Sequence, residues 1–296
     1  MSFSSKAKED LSKINNLNKK DQVKCEFFGY LISCNTMKDG PKYRYSTENE
    51  YNINRFGKIL KNCDINDYKI EIKGKVFTIS FKLRENLEEI SIKDDKIVLN
   101  ETCMSDVEEL SKSLVRGVFL GSGYISNPEK KYHLEFTFSH IKNAIYVKEL
   151  LEKYNINTKK IVKENGYSLY IKDGEEISKF LAFIGANNTV LKFEEIRVIR
   201  DTKNNVNRLI NCETANLSKT IKAGEKQIED IKLIKSKRKF SELPENLKDV
   251  ANIRLEHPDA SLAELVEYMN NTISKSGISH RLAAISKIAE ELRIGE

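Results

Sequence analysis

Long apolar runs, paired cysteines and an apolar signal segment are all missing from this sequence of 296 residues. No stretch approaches the ~18 uninterrupted apolar residues of a membrane-spanning helix, so the sequence predicts no membrane association. The five cysteines are odd in number, widely spaced and without a C-x-x-C pair, which fits neither a disulfide framework nor a zinc site. The first residues lead into a charged amphipathic stretch, so we expect no export and a cytoplasmic location.

The composition is that of a globular chain with a heavily solvated surface. Hydrophobic residues make up 40% and charged residues 32%. The length is sufficient for two domains of unequal size. The net charge of +6 is a modest basic excess, which permits nucleic-acid binding without requiring it.

Residues 21–185 contain an internal repeat. Gly29 lies 88 residues before Gly117, and Asp64 lies 91 residues before Asn155. The pattern of each half predicts a helix, a strand, a second helix and a hairpin. Segments in which apolar residues recur three and four apart alternate there with short segments in which they recur every second residue. The predicted elements are 21–34, 43–46, 53–62 and 68–72 with 76–81 in the first half, and 106–121, 133–138, 144–154 and 160–162 with 167–171 in the second. The pattern indicates two similar α+β halves.

The first helix of each half ends in a pattern of small residues. Arg116 to Gly123 (RGVFLGSG) and Phe28 to Asn35 (FGYLISCN) resemble the LAGLIDADG helices of homing endonucleases. In that family two such helices pack closely, and an acid at each helix end binds the metal that activates water. The acid positions fall here on Ser122 and Cys34, neither of which supplies a carboxylate to Mg²⁺.

Two alternatives remain for these helix ends. The glycine pattern by itself is also typical of a packing and capping device with no catalytic history. Asp39 and Asp106, which lie near the two helices, are alternative sources of a carboxylate. Our prediction is that the chain has no catalytic residues, no metal and no cofactor.

Three further segments carry a more specific resemblance. Tyr124 to Glu135 (YISNPEKKYHLE), Asn204 to Leu217 (NNVNRLINCETANL) and Ser274 to Leu282 (SKSGISHRL) are similar to segments of the WhiA regulators of Gram-positive bacteria. The resemblance covers essentially the whole chain. It implies a duplicated, acid-deficient LAGLIDADG-like domain, a carboxy-terminal helix-turn-helix domain, and roles in sporulation, cell division or chromosome segregation.

Side-chain amides are dense in the second of these segments. They can form a polar interface or buried network with the duplicated domain, or they can contact DNA or a partner from an exposed surface. The residues concerned are Asn204, Asn205, Asn207, Arg208 and Asn211.

A basic run follows the amide-rich segment. Five basic residues and no acids occur from Lys232 to Lys239, a charge suited to neutralising phosphates and equally typical of a solvated linker. The predicted DNA contacts in this run are Lys235, Lys237, Arg238 and Lys239.

The carboxy-terminal residues predict three helices. Pro244 stands at the start of the first, Ser261 and Glu264 have the spacing of a capping box for the second, and Ser274 caps the third. The third helix carries basic residues, Lys287 among them, and no acids from Asn271 to Ala289, which favours a DNA-reading helix over a three-helix domain without DNA contacts. The predicted reading residues are Ser274, Lys275, Ser276, Ser279, His280 and Arg281. His280 taken alone is more typical of a structural or surface histidine, and its position beside Arg281 favours the reading role.

These observations predict an α+β fold with a pseudo-twofold LAGLIDADG-like domain at residues 1–215, in halves of about 1–104 and 105–215. A basic helical linker at 216–242 would join it to a helix-turn-helix domain at 243–296. The predicted function is a sequence-specific transcription regulator on double-stranded DNA, associated with the nucleoid, with other regulators or RNA polymerase as further candidate partners. The alternatives are an active or residual homing endonuclease and a DNA-associated interaction scaffold in cell division.

Overall fold

The computed structural model describes residues 1–83, 87–100, 107–164, 166–237 and 239–294. The chain divides into two compact units, Met1–Asp201 and Thr202–Glu296, which we call unit 1 and unit 2. The fold is α+β, as predicted: unit 1 combines helices with antiparallel sheets, and the described part of unit 2 is helical.

Unit 1 contains two four-stranded antiparallel sheets and a separate two-stranded hairpin. Its helices are α1 (Phe3–Ser12), α2 (Lys20–Ile32), α3 (Glu50–Asn62), α4 (Glu108–Ser122), α5 (Ile141–Lys153), α6 (Gly174–Phe183) and the first part of α7 (Asn187–Ser236). Its strands are β1 (Thr36–Asp39), β2 (Lys42–Thr47), β3 (Tyr68–Lys73), β4 (Val76–Phe81), β5 (Ile90–Lys93), β6 (Lys96–Leu99), β7 (Tyr124–Ile125), β8 (Leu134–Phe138), β9 (Lys159–Lys163) and β10 (Gly166–Ile171). The sheets have the equivalent orders β1-β2-β4-β3 and β7-β8-β10-β9, and β5 pairs with β6.

The predicted duplication extends to individual hydrogen bonds. Asp64 and Asn155 follow α3 and α5 and both have a φ of 57°. The next amides, of Ile65 and Ile156, donate to the carbonyls of Leu60 and Leu151 at 2.9 and 3.0 Å. Short polar side chains tolerate this left-handed conformation, which is why Asp or Asn ends both helices. The boundary between the halves near residue 104, and Asn165 of the predicted hairpin turn, lie outside the described residues.

Helices α2 and α4 form the seam between the two halves. A Cβ atom built on Gly29 would lie 2.7 Å from the Cα of Gly117, and one on Gly117 would overlap the carbonyl oxygen of Glu26. Only glycine permits this approach, because in both cases the neighbouring atoms are backbone. The close seam therefore depends on the small residues that the sequence singles out.

A buried ionic cluster lies beside the seam. The carboxylate of Glu26 accepts hydrogen bonds from Arg55 at 2.5 and 2.8 Å and from Arg116 at 3.4 Å. All three side chains are buried. Burial disfavours the charged form of both guanidiniums. For Arg55 the hydrogen bonds to Glu26 outweigh this effect, and the pKa of Arg55 is raised. For Arg116 burial dominates, and the pKa of Arg116 is lowered. One carboxylate thus holds two cations from different helices, and Arg116 also donates to the carbonyl of Ile184 at 2.8 Å.

Unit 2 contains the rest of α7 and three further helices packed around one apolar core. These are α8 (Glu245–Glu256), α9 (Leu262–Tyr268) and α10 (Lys275–Ile294), and a 3₁₀ turn covers Phe240–Glu242. The core is formed by residues from all four helices: Ile231, Ile234, Leu247, Val250, Ala251, Leu265, Ile278, Leu282, Ile285 and Ala289. Arg254 orders the connection from α8 to α9, since its guanidinium donates to three carbonyls, the shortest bond being 2.6 Å to Ala260.

The helix α7 spans the segment in which the sequence suggested a domain end and a linker. It is continuous for 50 residues, from Asn187 to Ser236. The predicted boundary at residue 215 falls inside this helix, while the compact units divide at Asp201. A continuous helix has no local break in hydrogen bonding that a sequence pattern could mark.

Candidate nucleic-acid interface

The two positions of the missing acids meet at one residue. Cys34 lies two residues after the end of α2, Ser122 is the last residue of α4, and Thr137 on β8 contacts both. The Cys34 Sγ lies 2.6 Å from Thr137 Oγ1, and the Ser122 hydroxyl donates to the Thr137 carbonyl at 2.7 Å. Burial raises the pKa of the Cys34 thiol, so the thiol form is favoured. Instead of two carboxylates, the seam ends in neutral groups that are hydrogen-bonded to the sheet.

The alternative carboxylates do not change this arrangement. Asp39 is at the end of β1 and pairs with Arg44 at 3.2 Å, and Asp106 lies outside the described residues. Within the described ranges, no group of three histidine, cysteine, aspartate or glutamate side chains is placed to hold a metal ion. Among the described cysteines, Cys25, Cys34 and Cys212 are free thiols.

The predicted helix-turn-helix is formed by α9 and α10. The capping box is present: Ser261 Oγ accepts from the Glu264 amide at 3.3 Å, and the Ser261 amide donates to the Glu264 carboxylate at 2.7 Å. Asn270 and Asn271 then take φ values of 52° and 55°, which turn the chain into α10. Ser274 caps α10 by accepting from the Gly277 amide at 3.2 Å.

One side of α10 is buried in unit 2 and the other is exposed. The buried side carries its four core residues. The exposed side places Ser276, Ser279 and His280 within an arc of about 100°, with Lys275 beside them in the first turn. Hydroxyl, imidazole and ammonium groups on the first two turns of such a helix are suited to phosphates and base edges.

Arg281 differs from the other predicted reading residues. It is only partly exposed, and its guanidinium donates to the carbonyl of Asn246 on α8 at 3.3 Å. The structure therefore assigns it a contact that joins α10 to α8. Two exposed residues extend the reading face by another turn: Ala283, which the sequence did not indicate, and Lys287, which was noted for its charge but not predicted as a reading residue. The period of 3.6 residues from Ser276 and His280 was the signal that could have identified them.

The basic run lies at the end of α7. The Lys235 ammonium stands over the ring of Phe240, 4.6 Å from its centroid. Lys237 and Lys239 are exposed after the helix end at Ser236, and Arg238 lies outside the described residues. The run is thus placed immediately before the 3₁₀ turn, on the same unit as α10.

The amide-rich segment is an exposed part of α7. The predicted contact residues there are all exposed: Asn204, Asn205, Asn207, Arg208 and Asn211. They therefore do not form a buried polar network, which was one of the two interpretations of this segment. On a helix, Asn204, Asn207 and Asn211 lie on one side. This side is available to DNA or to a protein partner.

Comparison with known proteins matches both units to one family. Residues 111–203 match the family model of the WhiA LAGLIDADG-like domain, and residues 206–289 match that of the WhiA C-terminal HTH domain. The chain is 39% identical to the probable cell division protein WhiA of Clostridium tetani, over 99% of this chain and 98% of that protein. The chain belongs to the WhiA family. The probable cell division protein WhiA of Clostridium acetobutylicum is also 39% identical, over 99% of each chain.

A solved structure supports the same assignment to WhiA. Full-length DUF199/WhiA from Thermatoga maritima is similar over 98% of this chain and 99% of that chain, with a TM-score of 0.61 and 28% identity. The WhiA family therefore provides this chain with a LAGLIDADG-like domain and a DNA-binding helix-turn-helix domain. No helix in the described part of this WhiA chain is long and apolar enough to cross a membrane.

Proposed function

We propose that this WhiA protein is a sequence-specific transcription regulator in which α10 reads base edges in the major groove. The observation that carries the proposal is the exposed face of α10, on which Ser276, Ser279 and His280 stand with basic neighbours and without an acid. A recognition helix is expected to present such a face at its amino-terminal end. Its opposite side is fixed in the unit 2 core, so the face is held rigidly.

The residues divide into two kinds of contact. Lys275 in the first turn and the basic run Lys235, Lys237, Arg238 and Lys239 bind phosphates, while Ser276, Ser279 and His280 contact bases. The Ser274 hydroxyl caps the helix, so its contribution is to hold the first turn in place. Arg281 supports the face through α8 instead of reading bases.

The proposal includes the absence of nuclease activity and a role in cell division. The absence of nuclease activity is supported by the neutral groups at Cys34 and Ser122, which are both hydrogen-bonded to Thr137. The role in cell division is supported by the names of the relatives from Clostridium. Roles in sporulation and chromosome segregation are proposed from the family resemblance alone, and contacts with other regulators, RNA polymerase and the nucleoid stay predictions.

The test begins with selection of a preferred duplex from random DNA, followed by titrations at several salt concentrations. We expect His280→Ala to weaken binding by about 1–3 kcal/mol and to relax the preference at one base position. Lys275→Ala should weaken binding to all DNA sequences equally, and it should reduce the slope of log affinity against log salt concentration by about 1.

The matched control removes an exposed lysine of unit 2 that lies on α7, outside both α10 and the basic run. Lys226→Ala on α7 should leave the sequence preference unchanged. Unchanged affinity and preference in both α10 variants would show that α10 is not the reading helix. Cleavage of the selected duplex in the presence of Mg²⁺ by the purified protein would contradict the non-nuclease part.

A further inference from the structure

Part of α7 carries a heptad pattern. From Ile196 to Leu217, seven residues recur at alternating spacings of three and four. This is the spacing of the contact positions in a two-stranded coiled coil. All seam positions fall within an arc of about 100° on one side of the helix. We call this side the heptad face: Ile196, Ile199, Lys203, Val206, Ile210, Glu213 and Leu217.

The apolar residues of the heptad face from Ile199 onward are exposed, and Ile196 is partly exposed. Ile199, Val206, Ile210 and Leu217, together with the neighbouring Leu209, are between 49% and 60% exposed. Every residue from 201 to 219 is exposed, so nothing in the described part of the chain covers this face. Contiguous apolar side chains on the surface of a soluble protein mark an interaction site, since their exposure to water is unfavourable.

The two charged positions indicate what covers the face. Lys203 and Glu213 lie five residues before and five residues after Arg208. Within the described residues, neither side chain forms an ion pair with an opposite charge. A charge at a seam position is costly unless its partner in the complex is an opposite charge.

The heptad face from Ile199 to Leu217 is symmetric about Arg208. Val206 and Ile210 lie two residues to either side of it, and Ile199 and Leu217 lie nine residues to either side. An antiparallel partner with the same sequence would therefore place Val206 opposite Ile210, Ile199 opposite Leu217 and Lys203 opposite Glu213. A parallel copy in register would instead place lysine against lysine and glutamate against glutamate, which is unfavourable.

We propose that α7 pairs with α7 of a second copy of this chain as an antiparallel two-stranded coiled coil centred on Arg208. Leu209 of each copy lies next to the two-fold axis and adds apolar contact there. Asn204, Arg208 and Asn211 remain on the outer side of the pair, because they are more than a quarter turn from the heptad face. An isologous pair of this kind is closed and contains two helix-turn-helix units.

The inference is independent of DNA binding, and its test uses the full chain without DNA. Sedimentation equilibrium of the wild type should show reversible formation of a species with the mass of two chains. Lys203→Glu places glutamate opposite glutamate in both charged layers, and we expect the dissociation constant of the dimer to rise by about 100-fold. Glu213→Lys should have the same effect, because it places lysine opposite lysine.

The double variant Lys203→Glu with Glu213→Lys restores opposite charges in the antiparallel pair, and its dissociation constant should return close to that of the wild type. Lys222→Glu is the control, since it reverses an exposed charge outside the heptad face. Circular dichroism of each variant checks that the chain remains folded. A wild type that stays monomeric at about 100 μM, single variants that dimerise normally, or a double variant that fails to recover would each overturn the proposal.

Discussion

Substitution of Gly117 by alanine is expected to force α2 and α4 apart and to destabilise unit 1. The added methyl would overlap the carbonyl oxygen of Glu26 and lie 3.0 Å from the Cα of Gly29. Both obstacles are backbone, so the helices must separate by about 1 Å, which costs a quarter to a half of the dispersion energy across the seam. Overpacking of this kind costs about 1–3 kcal/mol or more, against a gain of about 1 kcal/mol in helix propensity.

Because the obstacles are backbone, the upper end of this range applies, and we expect a net loss of about 2 kcal/mol and a fall in Tm of about 4–8 °C for a unit of this size. Near-ultraviolet circular dichroism is a suitable assay, because the chain has no tryptophan and Tyr268 is the only one of its 12 tyrosines in unit 2. The control is Gly57→Ala within α3, where the nearest atom to the new Cβ is 3.6 Å away. This variant should be more stable by about 0.5–1 kcal/mol, since alanine favours the helix. A Gly117→Ala protein as stable as the wild type would refute the close seam, as would equal losses in both variants.

Three further changes test other parts of the fold. Glu26→Gln leaves Arg55 and Arg116 buried without a carboxylate and should cost about 3–5 kcal/mol in urea denaturation. Burial opposes the ionisation of Glu135, but hydrogen bonds from Lys163, Ser168 and His133 outweigh it and lower its pKa from 4.5 to about 2. This ionised carboxylate contributes up to about 3 kcal/mol to the free energy of unfolding. The contribution is present above pH 4.5 and is lost as the pH falls towards 2. Glu135→Gln should remove that part of the pH dependence of stability in a series of thermal melts. Ser261→Ala removes the capping box of α9 and should lower the unfolding free energy of unit 2 by about 1 kcal/mol, and a loss below 0.2 kcal/mol would contradict the capping role.

Local patterns were sufficient to predict much of the fold. The duplication was visible because Gly29 and Gly117 repeat at a spacing of 88 residues, and the structure confirms equivalent sheets in the two halves. The helix-turn-helix was visible because its capping box and its turn are formed by residues close in sequence. Such signals depend on interactions within one or two turns of the chain, which a sequence displays directly.

Other features could not be predicted because they depend on residues far apart in the sequence. The hydrogen bond from Arg281 to Asn246 joins positions 35 residues apart, and no periodicity marks it. The meeting of Cys34 with Thr137 joins positions 103 apart. The exposure of the amide-rich part of α7 was also hidden, since amides are compatible with both a buried network and a surface.

The shared contact of Cys34 and Ser122 with Thr137 has an evolutionary consequence. The Ser122 hydroxyl donates to the Thr137 carbonyl at 2.7 Å and accepts from the Thr137 amide at 3.1 Å, whereas an ionised aspartate accepts from the amide but cannot donate to the carbonyl. A mutation that introduced one acid would therefore place a carboxylate oxygen against the Thr137 carbonyl before a second acid could complete a metal site. A metal site at this end of the seam would therefore need concerted changes at both helix ends and at Thr137, which single substitutions do not readily reach.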